Sequence, residues 1–156
     1  MGTTLAWILP GLLAALLIAA SVFDLRSRTI PNSLNLAIAL LAVPFWWATG
    51  LSLWPEVALQ LAVAAAVFGL FALVFALGGM GGGDVKLVAA VALWLPWEAV
   101  VVLLVLMSLA GGVLTLGMVV RKRLARQEGR LEIPYGVAIA FGGLWLIGQR
   151  FLYQFG

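Results

Sequence analysis

Gly78-Gly79-Met80-Gly81-Gly82-Gly83-Asp84-Val85-Lys86-Leu87 sets a carboxylate directly behind five glycines, in a chain that otherwise reads as lipid-soluble hydrocarbon. A charge at bilayer depth costs at least about 2.5 kcal/mol on insertion scales, so an acidic residue there calls for a partner or a function. Which partner Asp84 has depends on how many times the chain crosses the membrane on either side of it.

The surrounding composition is that of an integral membrane protein. Hydrophobic residues make up 65% of the 156, charged residues 10%, and the mean hydropathy is +1.17. At about 20 residues per span, the chain has room for roughly six helices in a single transmembrane unit over residues 1–156, with no separate soluble domain. The expected fold is all-α, a polytopic protein of six transmembrane helices. There is no cysteine and no histidine. That excludes disulfides, thiol nucleophiles, the usual zinc sites and the Ser-His-Asp triad, and leaves carboxylates to carry any chemistry. The formal charge of +3 does not point to nucleic acid, because the basic residues fall almost entirely between apolar runs, where they set topology.

Those apolar runs lie at about 5–23, 34–50, 57–77, 85–97, 99–120 and 136–153. Residues 1–10 contain no Lys or Arg, so the first run reads as a retained helix, not a signal peptide. Arg26, Arg28, Lys86, Arg121, Lys122, Arg123, Arg126 and Arg130 lie in or beside the first, third and fifth loops, and only Arg150 lies at the other side. The positive-inside rule then puts both termini outside and these loops in the cytoplasm. Trp7, Trp46, Trp47, Trp54, Trp94 and Trp97 fall at the expected outer ends, where indoles favour the interface. The fourth run is short: Asp84 to Trp97 spans roughly 20 Å as helix, against a hydrocarbon core of about 30 Å. With Trp94 and Trp97 at the outer interface, Asp84 is expected below the cytoplasmic surface, on the floor of a recess.

Asp24 ends the first run and Asp84 begins the fourth. The two spans between them are an even number, so both carboxylates are expected on one side of the membrane. Facing carboxyls that cannot both ionise are the arrangement of aspartic proteolysis, in which one takes a proton from water and the other polarises the scissile carbonyl. Helix polarity favours the anion at Asp84, at a helix N-terminus, over Asp24, at a C-terminus. An N-cap role would also account for Asp84 taken alone. Gly81, Gly82 and Gly83 clear side chains from beside the carboxylate and suit the close approach of a substrate backbone. Ile30-Pro31-Asn32-Ser33 and Glu132-Ile133-Pro134-Tyr135-Gly136 read as helix starts on the same side, the first with Asn or Ser available to cap. Pro31, Asn32, Pro134, Tyr135 and Gly136 thereby frame the rim and join the glycines as candidate substrate contacts. Lys86 reads as a snorkelling interface residue, and the basic stretch 121–130 as a contact for anionic membrane lipid. On the third run, Ala62, Ala65, Gly69, Ala72 and Ala76 favour close helix packing.

Asp24 with Arg26, Arg28 and Ile30-Pro31-Asn32, then Gly81-Gly82-Gly83-Asp84-Val85-Lys86-Leu87, then Ile133-Pro134-Tyr135-Gly136-Val137-Ala138-Ile139, resemble the motifs of type IV prepilin peptidases, which are GxGD-class intramembrane aspartyl proteases. The compact form is similar to the small peptidases of Flp/Tad pilus systems and to archaeal preflagellin peptidases. The resemblance implies removal of the short basic leader of prepilin-like proteins at the cytoplasmic face of the inner membrane, with prepilin or pseudopilin helices as partners. It implies Asp24 and Asp84 as the catalytic pair, with no metal or cofactor. Larger members of that family carry a cytoplasmic domain with paired CxxC motifs and methylate the new N-terminus. With no cysteine here, N-methyltransferase activity is expected to be absent. Three other readings are a small proton- or cation-coupled transporter, a signal-peptide-peptidase-like enzyme, whose Tyr before the first Asp is replaced here by Phe23, and a non-catalytic pilus-assembly subunit in which the aspartates pack or cap.

Overall fold

The computed structural model describes residues 2–125 and 133–155. Among them all regular structure is helical: α1 (Gly2–Ser27), α2 (Asn32–Ala48), α3 (Ala58–Ala76), α4 (Gly82–Ala92), α5 (Trp97–Leu124) and α6 (Tyr135–Phe155). An irregular turn, Leu53–Val57, leads into α3, with Trp54 extended at φ −135° and ψ 128°. Arg126, Glu128, Arg130 and Glu132 of the basic loop lie outside the described residues.

Three segments, Thr4–Ser27, Leu53–Ala76 and Trp97–Leu124, are long and apolar enough to cross a membrane, with mean hydropathies of 2.3, 2.5 and 2.6. Their apolar residues run around the whole circumference, and exposed Leu and Val side chains on α1, α3 and α5 suit contact with lipid. α2 is a shorter apolar helix of 17 residues.

α4 differs from all of these. Its 11 residues rise only about 16 Å, half the hydrocarbon thickness, and seven of them are buried. α4 packs against α2, α3 and α6, while α1 packs on α2 and α6, and α5 on α6. The short helix is therefore held inside the bundle by its neighbours. It ends at Ala92, not at Trp97: Leu93 to Leu95 turn, and Pro96 at φ −62° and ψ 156° opens α5. Trp94 accordingly does not sit at an interface. It is 3% exposed and donates its indole N–H to the Ile38 carbonyl of α2 at 2.9 Å, with its ring 4.8 Å from that of Phe45. A buried indole takes a carbonyl partner because an unpaired N–H in hydrocarbon is costly.

Helix ends follow local chemistry. α1 runs past Asp24 to Ser27, whose hydroxyl bonds back to the Phe23 carbonyl at 2.9 Å, and Arg28 stops it at φ 54° in the left-handed region. Gly78, at φ 75°, does the same after α3, where a side chain would be strained. Pro31 opens α2 without any side-chain cap, so neither Asn32 nor Ser33 caps it. On α3 the small face of Ala62, Ala65 and Gly69 looks outward, and Gln60, Ala64 and Val67 make the buried contacts.

Candidate active site

The last turn of α1 and the first turns of α2, α4 and α6 meet at one end of the bundle. Asp24 is 4% exposed and Asp84 6%. Asp24 Oδ2 accepts a hydrogen bond from the Val137 N–H at 3.3 Å, bringing together residues 113 positions apart. The Gly136 N–H faces both carboxyl groups, and the two are close enough to act on each other electrostatically. The first amides of α6 thus lie near two acids from different helices. Helix N-termini favour anions through exactly such free amides, so the polarity of α1 alone no longer decides which carboxyl holds a proton.

Asp84 is not an N-cap. Gly81 holds that place, extended at φ −73° and ψ 144°, and its carbonyl accepts from the N–H groups of Asp84 and Val85 at 3.1 and 3.2 Å. Asp84 lies three residues into the turn, and its side chain folds back so far that a Cβ on Gly81 would come within 3.0 Å of Oδ2. Its other oxygen, Oδ1, is buried with no hydrogen-bond partner. A buried acceptor left unpaired costs about 1–3 kcal/mol, and Asn35 Oδ1 and Gln60 Oε1 share that condition.

The glycines make room for neighbours within the chain. A Cβ on Gly136 would fall 2.8 Å from both Asp24 Oδ2 and Ile30 Cδ1, and one on Gly83 would fall 3.2–3.4 Å from the Cβ, N and O of Ile30. Ile30, itself 7% exposed, is the wedge that spaces α4 from α6. Gly83 is therefore filled from within, Gly82 stands beside the Phe75 ring, and Gly81 is the exposed member of the three.

The remaining rim positions divide. Asn32 Oδ1 accepts from Lys86 Nζ at 2.8 Å, so Lys86 ties α4 to α2. Pro134 is buried close in sequence to Gly136, whereas the ring of Tyr135 lies against Gly111 of α5. Two residues escape a reading of the sequence alone. One is Ile30, taken there as punctuation. The other is Asn35, 4% exposed on α2, whose Nδ2 donates to the Gly83 carbonyl at 3.0 Å and so holds the turn that carries Asp84. The signal for Asn35 was present, since an amide amid apolar residues needs a partner. Among the described residues no group of three His, Cys, Asp or Glu could hold a metal ion.

Comparison with known proteins bears on this geometry. The chain is 34% identical over 143 residues to the prepilin leader peptidase/N-methyltransferase of Burkholderia pseudomallei, covering 85% of this chain and 43% of that protein. Proteins of the same description from Aeromonas hydrophila and Neisseria gonorrhoeae are 32% and 33% identical over 139 and 153 residues, covering 86% and 91% of this chain and 47% and 49% of theirs. The chain thus spans less than half the length of these relatives. No solved structure matches at a significant level. The model of the type IV leader peptidase family matches residues 11–116, a stretch that contains both aspartates, and the chain belongs to that family.

Proposed function

We propose that this membrane protein is an aspartyl endopeptidase that removes the leader of prepilin-like proteins, with Asp24 and Asp84 as the catalytic pair. The observation that carries this reading is the shared site: two buried carboxyls from helices far apart in sequence, both near the start of α6. Like charges in so dry a place repel, so the pair works with one proton between its members. The ionised acid takes a proton from water as it attacks the scissile carbonyl. The protonated acid donates a hydrogen bond to the carbonyl oxygen as negative charge develops there. Collapse of the tetrahedral intermediate breaks the C–N bond, and the leaving amine takes a proton from the pair. The unpaired Asp84 Oδ1 is the acceptor we assign to the attacking water.

In this reading the six helices form a multi-pass unit in the inner membrane, with both termini outside and the carboxyls on the cytoplasmic side. The asymmetry of Lys and Arg supports that orientation. Gly81 is the open point at which a substrate backbone approaches Asp84. Methyl transfer is named for the longer relatives, and we assign none of it to these residues.

The test is co-expression with a candidate prepilin, with leader removal followed by gel shift for wild type, Asp24→Asn and Asp84→Asn. Loss of processing in both variants is expected. Processing that survives both substitutions removes the mechanism.

A further inference from the structure

A groove of about 450 Å³ runs along the side of the bundle between α2, α3 and α4, beginning at the end where the carboxyls lie. Ala39, Ala64, Ala89 and Ala90 line it, with Asn35 and Lys86 at the end nearest Asp84. From Lys86 to Leu93 it follows α4 for about two turns, roughly 10 Å. Leu36, Phe68 and Leu93 line it too, so larger apolar side chains flank a floor of alanines. In lipid, helices associate where small residues let backbones approach, so an alanine floor of this kind suits a helix.

The polar end supports the same occupant. Lys86 offers an ammonium donor there. Asn35 spends its Nδ2 on the Gly83 carbonyl, while its Oδ1 is buried with no partner. A donor and an unpartnered acceptor among the lining residues of one groove match the N–H and C=O of a peptide that is leaving helical geometry, whose backbone groups are no longer paired within the segment. Asp84 and Lys86 face different sides of α4, a helix about 10 Å across, and about three extended residues at ~3.3 Å each cover that distance. The path crosses Gly81 and Gly82, which carry no side chains of their own, and passes the Phe75 ring beside Gly82.

We propose that this groove docks the apolar transmembrane helix of the substrate, with about three extended residues crossing the glycines to bring the scissile bond to Asp24 and Asp84. This rests on the peptidase reading above. It makes Asn35 and Lys86 substrate contacts, and it puts recognition on the face of α4 away from catalysis.

The chain has no cysteine, so a single introduced one labels a single place. Ala89→Cys in the groove and Val113→Cys on the exposed side of α5, 72% exposed, each receive a benzophenone maleimide in an Asp84→Asn background that retains uncut prepilin. Illumination is expected to give at least tenfold more prepilin adduct from position 89 than from 113, mapping to the apolar segment beginning about three residues past the cut. Equal yields, or adducts at 89 only with lipid or with a second copy of this chain, overturn the proposal. In the catalytically intact protein, Ala89→Trp and Leu36→Trp fill the groove from floor and rim, and either is expected to raise KM about tenfold while kcat holds. Val113→Trp leaves both unchanged. Wild-type cleavage with unaltered KM in both groove variants defeats the groove alone, whereas absence of any leader removal by wild type defeats the peptidase reading and the groove with it.

Discussion

The two ends of the bundle differ in what their buried polar groups hold. At the end away from the carboxyls hydrogen bonds fasten the helices, although Gln60 Oε1 at the start of α3 is buried there without a partner: the Trp46 indole donates to the Leu93 carbonyl at 2.8 Å, the Trp94 indole to Ile38, and the Thr49 hydroxyl back to Phe45 at 2.8 Å. Arg150 lies 5.0 Å over the Phe45 ring. At the carboxyl end, Asp84 Oδ1 and Asn35 Oδ1 are buried without partners, and three helix starts crowd around Ile30. One end spends two indole hydrogen bonds on holding α4 in place, and the other leaves an oxygen of Asp84, and one of the amide that holds its turn, unpaired. A helix of 11 residues that cannot span the bilayer is thereby anchored at its far end so that its first turn can carry an unsatisfied acid.

Substitutions can separate these two roles. The largest effect on activity is expected from Asp24→Asn or Asp84→Asn, each lowering leader removal by about 10³-fold with thermal stability in detergent retained or raised. The double variant is expected to be no worse than either single one, because the pair acts as a unit. Next comes Gly136→Ala, which drives a methyl group into the Asp24 carboxyl and Ile30; misplacement on that scale costs on the order of 10²-fold in kcat. Its control is Gly148→Ala, where nothing lies within 4 Å, and whose kcat is expected to match wild type. Asn35→Leu releases the Gly83 carbonyl and is expected to lower kcat/KM about tenfold, the equivalent of one buried hydrogen bond. The smallest effect on activity belongs to the end away from the carboxyls. Trp94→Phe leaves the Ile38 carbonyl without its indole donor, and is expected to cost about 1–2 kcal/mol of stability by thermal or denaturant unfolding while kcat holds. Should Trp94→Phe impair catalysis as much as Asn35→Leu, the division between a structural and a reactive end would collapse.

Much of the frame was legible residue by residue. Hydropathy located every helix, because a run of apolar side chains in lipid has one economical backbone solution. Errors gathered where a residue's surroundings decide. Trp94 looked like an interfacial anchor since indoles favour that layer, yet α4 stops two residues earlier and the ring turns into the core beside Phe45. Asp84 looked capable of capping its own helix, but Gly81 does so. Asn32 and Ser33 looked like caps for α2, and Asn32 instead serves Lys86. The outward face of Ala62, Ala65 and Gly69 shows that a small-residue pattern does not say which side of a helix is packed.

What the sequence determined unaided is what depends on composition and order: residence in a membrane, helices as the regular structure of the described residues, and two acids separated by an even number of apolar runs. Those are sums over local properties, and each residue reports its own share. The tertiary structure alone decided that the start of α6 lies against Asp24, that Ile30 wedges between Gly83 and Gly136, and that Asn35 grips the turn bearing Asp84. These contacts join residues 48 to 113 positions apart, and no local pattern encodes which distant backbone will close on a given side chain. The carboxylate behind its glycines thus owes its setting to helices that begin far from it in the chain.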